Sequence, residues 1–414
     1  MKLYRNLTLA LLLAPCGIAQ TVTTATPHPL TLADAIARAS TNSPVIRQAQ
    51  AGEARAAAAI RTAGAYSNPT LEVYAGRQYA RPIPTPGVPG LLQHYGALQP
   101  IEIPSERRSR REVAVAGQRS AQAERAGVSL SVIANAKHAF YDALHRREEI
   151  NHKQENLQLV QDLRHRVEVE VNVGEKGRLE LTRTEAELAR ARFAVRSAQI
   201  EYSNAIAVLR AAIASPADEN LDPQGDFEPP VKLPSLAAAR DSVLQLHPAI
   251  AQSQADIDRA QATLRNQQAL RIPQPTAFAE FENQPDLRFW RAGINIQLPL
   301  FDRRRGQIDD ARATIQGNEA TLQQRRLELI SALERAYEQY QIADQQVQSL
   351  ESGELRAAES AVEGAKAAYR FGERGIVEVL DAQRVLQSVR GDLLDAQFAR
   401  QSALVDLEEL GVKP

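Results

Sequence analysis

Hydrophobic positions recur every seven residues in the second half of the chain. The repeat consists of Ile308, Ile315, Leu322, Leu329, Ala336, Ala343, Leu350 and Ala357. A heptad of this length predicts coiled-coil packing, and its alanines permit close approach of the helices. The run from Arg305 to Phe371 would extend about 100 Å as a helix, which is much longer than helices in globular proteins.

A period of two occurs in shorter segments of the chain. Apolar Trp290, Ala292, Ile294, Ile296 and Leu298 alternate with polar or small residues, as do Leu71, Val73 and Ala75. This alternation predicts strands with one apolar and one polar face. With weaker candidates at His94 to Ile103 and Ala277 to Asn283, we predict strand hairpins at about 69–103 and about 275–299. Strands of about ten residues suit a tilted transmembrane β-strand.

Two similar glycine-containing sequences interrupt the helical patterns, at 173–181 and 371–381. The first contains Gly174, Glu175, Lys176 and Gly177, and the second contains Gly372, Glu373, Arg374 and Gly375. Each lies inside a long stretch without proline, from Ser105 to Ser215 and from Leu300 to Lys413. Because glycine adopts left-handed backbone conformations without penalty, we predict that each is the tip of a long antiparallel helical hairpin.

Landmarks of the first half recur in the same order in the second half. Asn42-Ser43-Pro44 has a counterpart in Leu246-His247-Pro248, and Asn68-Pro69-Thr70 has one in Gln274-Pro275-Thr276. We therefore predict an internal duplication, with structural repeats at 20–230 and 231–414. Five prolines between Pro216 and Pro234 exclude a helix there and predict a linker on the outside of the helical body.

The first 19 residues have the pattern of a secretory signal peptide. Basic Lys2 and Arg5 precede an apolar run and a small-residue ending at Ala19. Lipidation of Cys16 is the alternative, but Pro15 departs from the lipoprotein pattern, so cleavage after Ala19 is favoured. The mature chain would then lack cysteine, which excludes disulfides and thiolate metal sites.

Composition narrows the possible partners. The net charge of -1 gives no reason to expect nucleic acid binding, and no later stretch approaches 18 consecutive apolar residues. Entry into a membrane would therefore require β-strands, and four strands cannot close a barrel. Several chains would have to contribute to one barrel. Two chains would give eight strands, which leave an interior filled by side chains.

Three segments resemble the TolC-like outer-membrane efflux channel family. They are Leu298-Pro299-Leu300-Phe301-Asp302 followed by arginines, Tyr369 to Arg374, and Glu378-Val379-Leu380-Asp381-Ala382-Gln383. The resemblance implies a mainly α fold with membrane β-structure. Three chains would share a twelve-stranded β-barrel in the outer membrane, and their coiled-coil hairpins would form an α-barrel across the periplasm. Gln99-Pro100-Ile101-Glu102 with Arg107-Arg108 is most similar to the branch that serves heavy-metal efflux.

The resemblance also implies roles for residues at the tips. The channel gate would contain an acidic ring of Glu378 and Asp381, held shut by a latch of Tyr369, Arg374 and their partner Glu180. The tips would dock a periplasmic adaptor linked to an inner-membrane pump, through Gly174, Glu175, Lys176, Gly177, Gly372, Glu373 and Gly375. Two alternatives stay open: the two acids only solvate a helix face, and the glycines only shape the turns.

Two groups of arginines directly follow the predicted strands. They are Arg107, Arg108, Arg110 and Arg111 in the first half and Arg303, Arg304 and Arg305 in the second. Positive charge opposes the dipole at a helix start, so another interaction should favour it. We expect contacts with anionic lipid headgroups of the outer membrane, and a solvated collar is the alternative.

No phosphate-binding loop, zinc-protease motif or nucleophile elbow occurs, so catalysis and a cofactor are not expected. His138, His145 and His152 are spaced by seven residues. A polar helix face is favoured there over a metal site. The chain is therefore predicted to be a passive outer-membrane exit duct of a tripartite efflux system, with heavy-metal cations as cargo. Export of organic toxicants, drugs or peptides is one alternative, and a soluble periplasmic coiled-coil scaffold is another.

Overall fold

The same order of elements occurs twice in the computed structural model, which describes residues 28–79 and 90–413. The first half contains β1 (His28–Leu30), α1 (Leu32–Asn42), α2 (Pro44–Gly64), β2 (Thr70–Gln78), β3 (Gly90–Pro100), α3 (Pro104–Asn172) and α4 (Arg178–Ala212). The predicted signal peptide at 1–19, with Cys16, lies outside the described residues. The repeat boundaries at 20–230 and 231–414 stay a prediction.

The second half repeats this order with one interruption in its long helix. It contains β4 (Leu221–Pro223), α5 (Leu236–Leu246), α6 (Pro248–Ala269), β5 (Pro275–Asn283), β6 (Arg288–Ile296), α7 (Arg305–Ser349), a π-helical segment (Leu350–Glu354), α8 (Leu355–Arg370) and α9 (Ile376–Glu409). Among the described residues, no helix is long and apolar enough to cross a membrane.

Four strands form one antiparallel sheet in the order β2-β3-β5-β6. The contact between β3 and β5, with Tyr95 opposite Phe281, joins the strand hairpins of the two halves. Side chains alternate between the two faces, and the apolar face exposes Leu71, Val73, Trp290, Ile294 and Ile296. The other face carries Glu72, His94, Glu280 and Arg291. Among the described strands, β2 and β6 each have one edge without a partner.

The proline-containing linker holds a short strand that the sequence analysis did not predict. β4 pairs with β1 in a parallel arrangement, so the start of the first half is tied to the start of the second. Leu30 and Leu221 are nearly fully buried in a core cluster that also contains Phe140 and Leu144 of α3. The linker therefore packs against the helices through its own apolar residues.

Each half begins with two helices separated by a cap and a proline. Ser43 accepts a hydrogen bond from the Ile46 amide, and Pro44 starts α2. In the second half His247 has the same position, and its Nδ1 accepts from the Ala249 amide at 3.1 Å before α6 starts at Pro248. Proline fits the first helical turn because its missing N–H has no partner there.

The long helix of the second half does not run unbroken from Arg305 to Phe371. The π-helical segment accommodates one extra residue, and the buried stripe shifts with it. Ile308, Leu322, Leu329, Ala336 and Ala343 are buried as the heptad predicted, whereas Ile315 and Leu350 are only partly buried. After the segment, Ala358 is buried and Ala357 is exposed. The predicted stripe is therefore wrong by one residue at its last position.

Candidate functional site

The two helical hairpins end in turns with the same backbone geometry. After α3, the Gly174 amide donates to the Val171 carbonyl at 3.1 Å, and the Glu175 amide donates to the Glu170 carbonyl at 2.9 Å. After α8, Gly372 and Glu373 make the corresponding bonds to Tyr369 and Ala368, also at 3.1 and 2.9 Å. This pattern is the Schellman motif, which satisfies the last carbonyls of a helix.

Only the first glycine of each tip has a left-handed backbone. Gly174 has φ of 83° and Gly372 has φ of 74°, where a side chain would be strained. Gly177 and Gly375 have extended φ of -82° and start α4 and α9 as N-caps. The second glycine of each tip is therefore not required by its φ. The four charged residues between the glycines lie at least partly exposed in the turns; they are Glu175, Lys176, Glu373 and Arg374.

The two tips pack against each other through a small apolar cluster. Leu163 and Val167 of α3 contact Tyr369 of α8 and Ile376, Val379 and Leu380 of α9. Tyr369 lies within this cluster and is 8% exposed. The tips of the two halves therefore form one unit, which contains the residues of the predicted latch.

Tyr369 joins α8 to α3 through its hydroxyl group. Its Oη donates to Glu170 Oε2 at 2.5 Å, and Lys176 Nζ lies 5.0 Å from the centre of its ring. Burial raises the pKa of Tyr369, and the hydrogen bond to Glu170 raises it further. The hydroxyl therefore stays protonated and keeps donating at physiological pH.

Within the single chain, the other two residues of the predicted latch, Arg374 and Glu180, form no ion pair with each other. Arg374 lies 4.0 Å from Glu378, and both side chains are largely exposed, so this pair is worth only about 0–1 kcal/mol. The sequence analysis paired Tyr369 and Arg374 with Glu180. In this chain Glu180 is close enough to raise the pKa of Tyr369, but its buried Oε2 has no hydrogen-bond partner among the described residues.

Asp381 contacts Arg384, the residue that links α9 to α4. Arg384 contacts Asp381 at 3.0 Å and Glu187 of α4 at 2.9 Å. Glu187 is 16% exposed, so this ion pair is better shielded from water than the Arg374 pair. Both acids of the predicted ring, Glu378 and Asp381, therefore have an arginine beside them in the single chain.

The arginines at the helix starts do not share one environment. Arg110 donates from Nε and Nη2 to the Ala63 and Ala65 carbonyls at the end of α2, each at 2.9 Å, and contacts Glu102 at 3.2 Å. The negative end of the α2 dipole favours this cation, which accounts for its position at the start of α3. Burial raises the pKa of Glu102, but hydrogen bonds from Ser67 and Arg110 outweigh it and leave that pKa below its ordinary value.

The remaining arginines divide between internal contacts and solvent. The Arg107 guanidinium lies 3.9 Å from the centre of the Tyr66 ring, and Arg304 donates to Gln267 at 2.9 Å. The exposed arginines are Arg108, Arg111, Arg303 and Arg305. Because Arg110 caps α2 inside the chain, it is not free for the lipid contact predicted for it.

Two of the evenly spaced histidines pair with carboxylates on α9. His138 lies 2.9 Å from Asp406, and His145 lies 2.8 Å from Asp395. Among residues 28–79 and 90–413, no group of three or more His, Cys, Asp and Glu side chains could hold a metal ion. These histidines connect α3 to α9 as side-chain pairs.

Comparison with known proteins identifies the family. The chain matches the family described as "Outer membrane efflux protein" over residues 35–215 and 239–411, which together make up most of its length. The chain belongs to this outer membrane efflux protein family. The predicted resemblance to TolC-like channels is confirmed. As a member of this family, the protein is located in the outer membrane, serves transport and is not an enzyme.

The chain is also similar to individual proteins, in sequence and in fold. The chain is 26% identical over 295 residues to the cobalt-zinc-cadmium resistance protein CzcC of Cupriavidus metallidurans, covering 70% of each chain. It is 27% identical over 324 residues to protein CyaE of Bordetella pertussis, covering 74% of this chain and 68% of that one. The crystal structure of CusC superposes with a TM-score of 0.78 at 19% identity and 92% coverage of each chain. The outer membrane efflux fold is therefore shared along almost the whole chain.

Sequence reasoning missed Glu170, Glu187 and Arg384 as functional candidates at the tips. Glu170 belongs to an acidic stretch of α3 with Glu168, and nothing in the sequence distinguishes the two. A detectable signal existed only for Arg384, which lies three residues after Asp381 and therefore on the same helix face.

Proposed function

We propose that three copies of this outer membrane efflux protein close one twelve-stranded barrel and form a passive exit duct. The observation that carries this proposal is that β2 and β6 each have one edge without a partner among the strands the structure describes. An open sheet edge leaves backbone N–H and C=O groups unsatisfied, which lipid does not tolerate. The apolar face with Leu71, Trp290 and Ile294 suits contact with lipid, and four strands from each of three chains give a conduit wide enough for water.

The tips would form the periplasmic entrance of the duct. We assign the closed state to links between hairpins: Tyr369 with Glu170, and Arg384 with Glu187. Glu180, Tyr369 and Arg374 remain our proposed latch in the assembly, where the free Oε2 of Glu180 can accept a bond from a neighbouring chain. Weak individual links suit a gate, because docking of a partner can break them.

The acidic ring of Glu378 and Asp381 would narrow this entrance as the channel gate. In the single chain Glu378 lies beside Arg374 and Asp381 beside Arg384, so each carboxylate is partly compensated. Opening would separate Arg384 from Glu187 of α4, while Arg384 and Asp381 stay neighbours on α9. Three copies of Glu378 and of Asp381 would surround the axis. Such a ring favours cations.

The exposed residues of the turns would dock a periplasmic adaptor that links the duct to an inner-membrane pump. Gly174 and Gly372 keep these positions free of side chains. Apart from their immediate chain neighbours, no described residue has an atom within 4 Å of the position a Cβ would take. Glu175, Lys176 and Glu373 add charges that an adaptor can pair with. The glycine and charge pattern is the same in both tips, so a trimer would present six similar sites.

Heavy-metal cations are the proposed cargo. The similarity to the cobalt-zinc-cadmium resistance protein CzcC supports this choice. Exposed Arg108, Arg111, Arg303 and Arg305 would contact anionic headgroups where the barrel meets the helices. Removal of residues 1–19 as a signal peptide and origin by duplication of one structural unit complete the proposal.

The oligomeric state can be tested on the purified full-length protein. Native mass spectrometry in detergent should give the mass of three chains, and heating should convert the complex to single chains on a gel. A monomer that stays stable in water without detergent would refute the shared barrel.

The cargo can be tested by deletion in the source bacterium. Loss of the protein should lower tolerance to cobalt, zinc or cadmium and leave tolerance to organic toxicants unchanged. The reverse pattern would favour the export of organic toxicants, drugs or peptides.

A further inference from the structure

The polar face of the sheet contains a buried histidine without hydrogen bonds. His94 lies in β3 and is 3% exposed. Neither Nδ1 nor Nε2 has a partner among the described residues. A buried polar group left unpaired destabilises the folded state, because it loses its bonds to water and gains none in return. The imidazole is therefore kept at this position at a cost in stability.

Packing alone does not account for an imidazole here. On the same sheet the Phe278 ring covers Gly293, with its Cζ 2.8 Å from the position of a glycine Cβ. His94 covers Gly96 in a similar way, with Nε2 3.0 Å from the corresponding position. Phenylalanine performs this packing without an unpaired polar atom, so the nitrogen atoms of His94 should have another role.

The space above Gly96 is bordered by possible metal donors. A Cβ at Gly96 would lie 3.0 Å from His94 Nε2, 3.5 Å from Glu72 Cβ and 3.7 Å from Glu280 Cγ. Gly96 is not among the glycines with positive φ, so its backbone does not require glycine. A side chain at this position would press on Nε2, so glycine lets the imidazole nitrogen lie beside the two glutamates.

The carboxylates of Glu280 and Glu72 are not equally free to bind a metal ion. Glu280 is held by Arg291 at 2.5 Å. Glu72 is exposed and has no hydrogen bond or ion pair within the described part of the chain, so its carboxylate can turn toward the imidazole. Tyr74 stacks on the His94 ring, with 4.2 Å between the ring centres and 8° between the ring planes, which fixes the plane of the imidazole.

We propose that His94 Nε2 and the Glu72 carboxylate bind a divalent transition-metal cation in transit, in the space above Gly96. Imidazole suits zinc, copper or nickel, whereas magnesium prefers oxygen ligands alone. No cluster of three protein ligands occurs among the described residues, so water would complete the coordination. Binding with two protein ligands is weak, which a conduit needs so that the cargo leaves. The inference rests on the proposed metal cargo.

The test compares zinc block in matched histidine variants. The full-length protein is reconstituted in planar bilayers with K⁺ as the current carrier, and ZnCl2 is titrated. His94→Phe keeps a ring over Gly96 and should raise the half-blocking Zn²⁺ concentration about tenfold, the effect of losing about 1.4 kcal/mol. Glu72→Gln should raise it several-fold. His165→Phe, the same change at an exposed histidine near the tip, should leave it unchanged.

Two results would overturn the site: equal block of wild type and H94F, or block by MgCl2 at the same concentrations as ZnCl2. If H94F yields no heat-stable oligomer, His94→Gln takes its place. Calorimetric titration of the detergent-solubilised protein with ZnCl2 separates this inference from the proposed function. A protein without conductance that loses zinc binding in H94F would refute the duct and keep the site. A conducting channel whose zinc binding is unchanged in H94F would keep the duct and refute the site.

Discussion

Tyr369 connects the two helical hairpins through a single hydroxyl group. Its partner Glu170 lies 199 residues earlier in the chain. The Tyr369 side chain itself is nearly buried. A hydrogen bond to a charged group contributes roughly 1.5–3 kcal/mol. One such bond in each protomer is enough to bias a gate strongly, because about 1.4 kcal/mol changes an equilibrium tenfold.

Tyr369→Phe should make the channel open more often. The change removes the donor to Glu170 and keeps the ring in its apolar cluster, so the closed state alone loses stability. We expect the ratio of open to closed states to rise about tenfold, measured as open probability of single channels in planar bilayers.

Tyr337→Phe provides the matched control for this experiment. Tyr337 also donates its hydroxyl, to the Pro234 carbonyl at 2.9 Å, but it lies far from the tips in the sequence and in a different core cluster. The open probability of the Tyr337→Phe channel should equal that of the wild type. An unchanged open probability in Y369F would remove the Tyr369 hydroxyl from the gate.

His247 makes the stability of the second half depend on pH. Burial lowers the pKa of this N-cap from 6.5, and a hydrogen bond with the Glu409 backbone only partly offsets that effect. The neutral ring accepts from the Ala249 amide, so the cap is complete above about 6.5, the unfolded-state value. The stability is lost as the pH falls through the lower folded-state pKa.

His247→Ser should remove this pH dependence. Serine is the residue at the equivalent cap of the first half, Ser43, and it does not titrate in this range. Between pH 8 and pH 5.5 the wild-type melting temperature should fall by about 1–2 °C more than that of the variant. Parallel melting curves at all pH values would show that His247 is not the titrating cap.

The motif at the tip predicted where Tyr369, Arg374 and Glu378 lie, but it did not predict their partners. Turn positions follow from local backbone chemistry, which glycine and its neighbours specify in the sequence. A partner such as Glu170 depends on how α3 packs against α8. That packing is decided by the whole apolar cluster around Val167 and Ile376, so local sequence carries no record of it.

The π-helical segment at Leu350–Glu354 is the main irregularity of the long helices. The heptad up to Ala343 predicts the buried face correctly because one period applies to the whole of α7. An inserted residue leaves no mark in the heptad other than a shift, and Ala357 and Ala358 are both alanine. The strands β1 and β4 have only three residues each, which is too short to show an alternation of polar and apolar positions. The sequence pattern therefore does not predict them.

Deletion of Gly353 should be tolerated. Removing one residue converts the π-helical segment into α-helix and keeps the buried register on both sides, at Val347 and at Ala358. The heat-stable oligomer should form with nearly wild-type yield, and its melting temperature should stay within a few degrees.

Deletion of Gly317 supplies the contrast. It is also a helical glycine with open space around it, but it lies inside regular α7. Its loss rotates the following residues by about 100°, so Leu322 and Leu329 leave the core. Large-to-small changes at one such leucine already cost about 2–5 kcal/mol, so assembly should fail. Equal yields of both deletions would contradict the register argument.

At the scale of the whole molecule, two kinds of surface remain without a partner in one chain. Within residues 28–79 and 90–413, β2 and β6 each leave one sheet edge without a partner strand. The helical hairpins also expose large apolar residues such as Phe193 and Ile200 of α4 and Leu327 of α7. Sheet edges and apolar stripes on one chain are satisfied together when copies assemble side by side. In the proposed barrel, the apolar face of β6 would meet lipid and its polar face would line the lumen.

Adjacent residues of β6 allow this assignment to be tested. Ile294 is 63% exposed on the apolar face, and Asn295 lies on the polar face opposite Thr276. An arginine on the lipid side costs about 2–4 kcal/mol at mid-membrane, whereas one in a water-filled lumen costs little. Ile294→Arg should therefore greatly reduce the heat-stable oligomer recovered from outer membranes, and Asn295→Arg should leave it close to the wild-type amount. The energetic difference between the two positions comes only from the medium that each side chain meets. Equal insertion of both variants, or failure of N295R alone, would therefore show that the apolar face of this sheet does not face lipid.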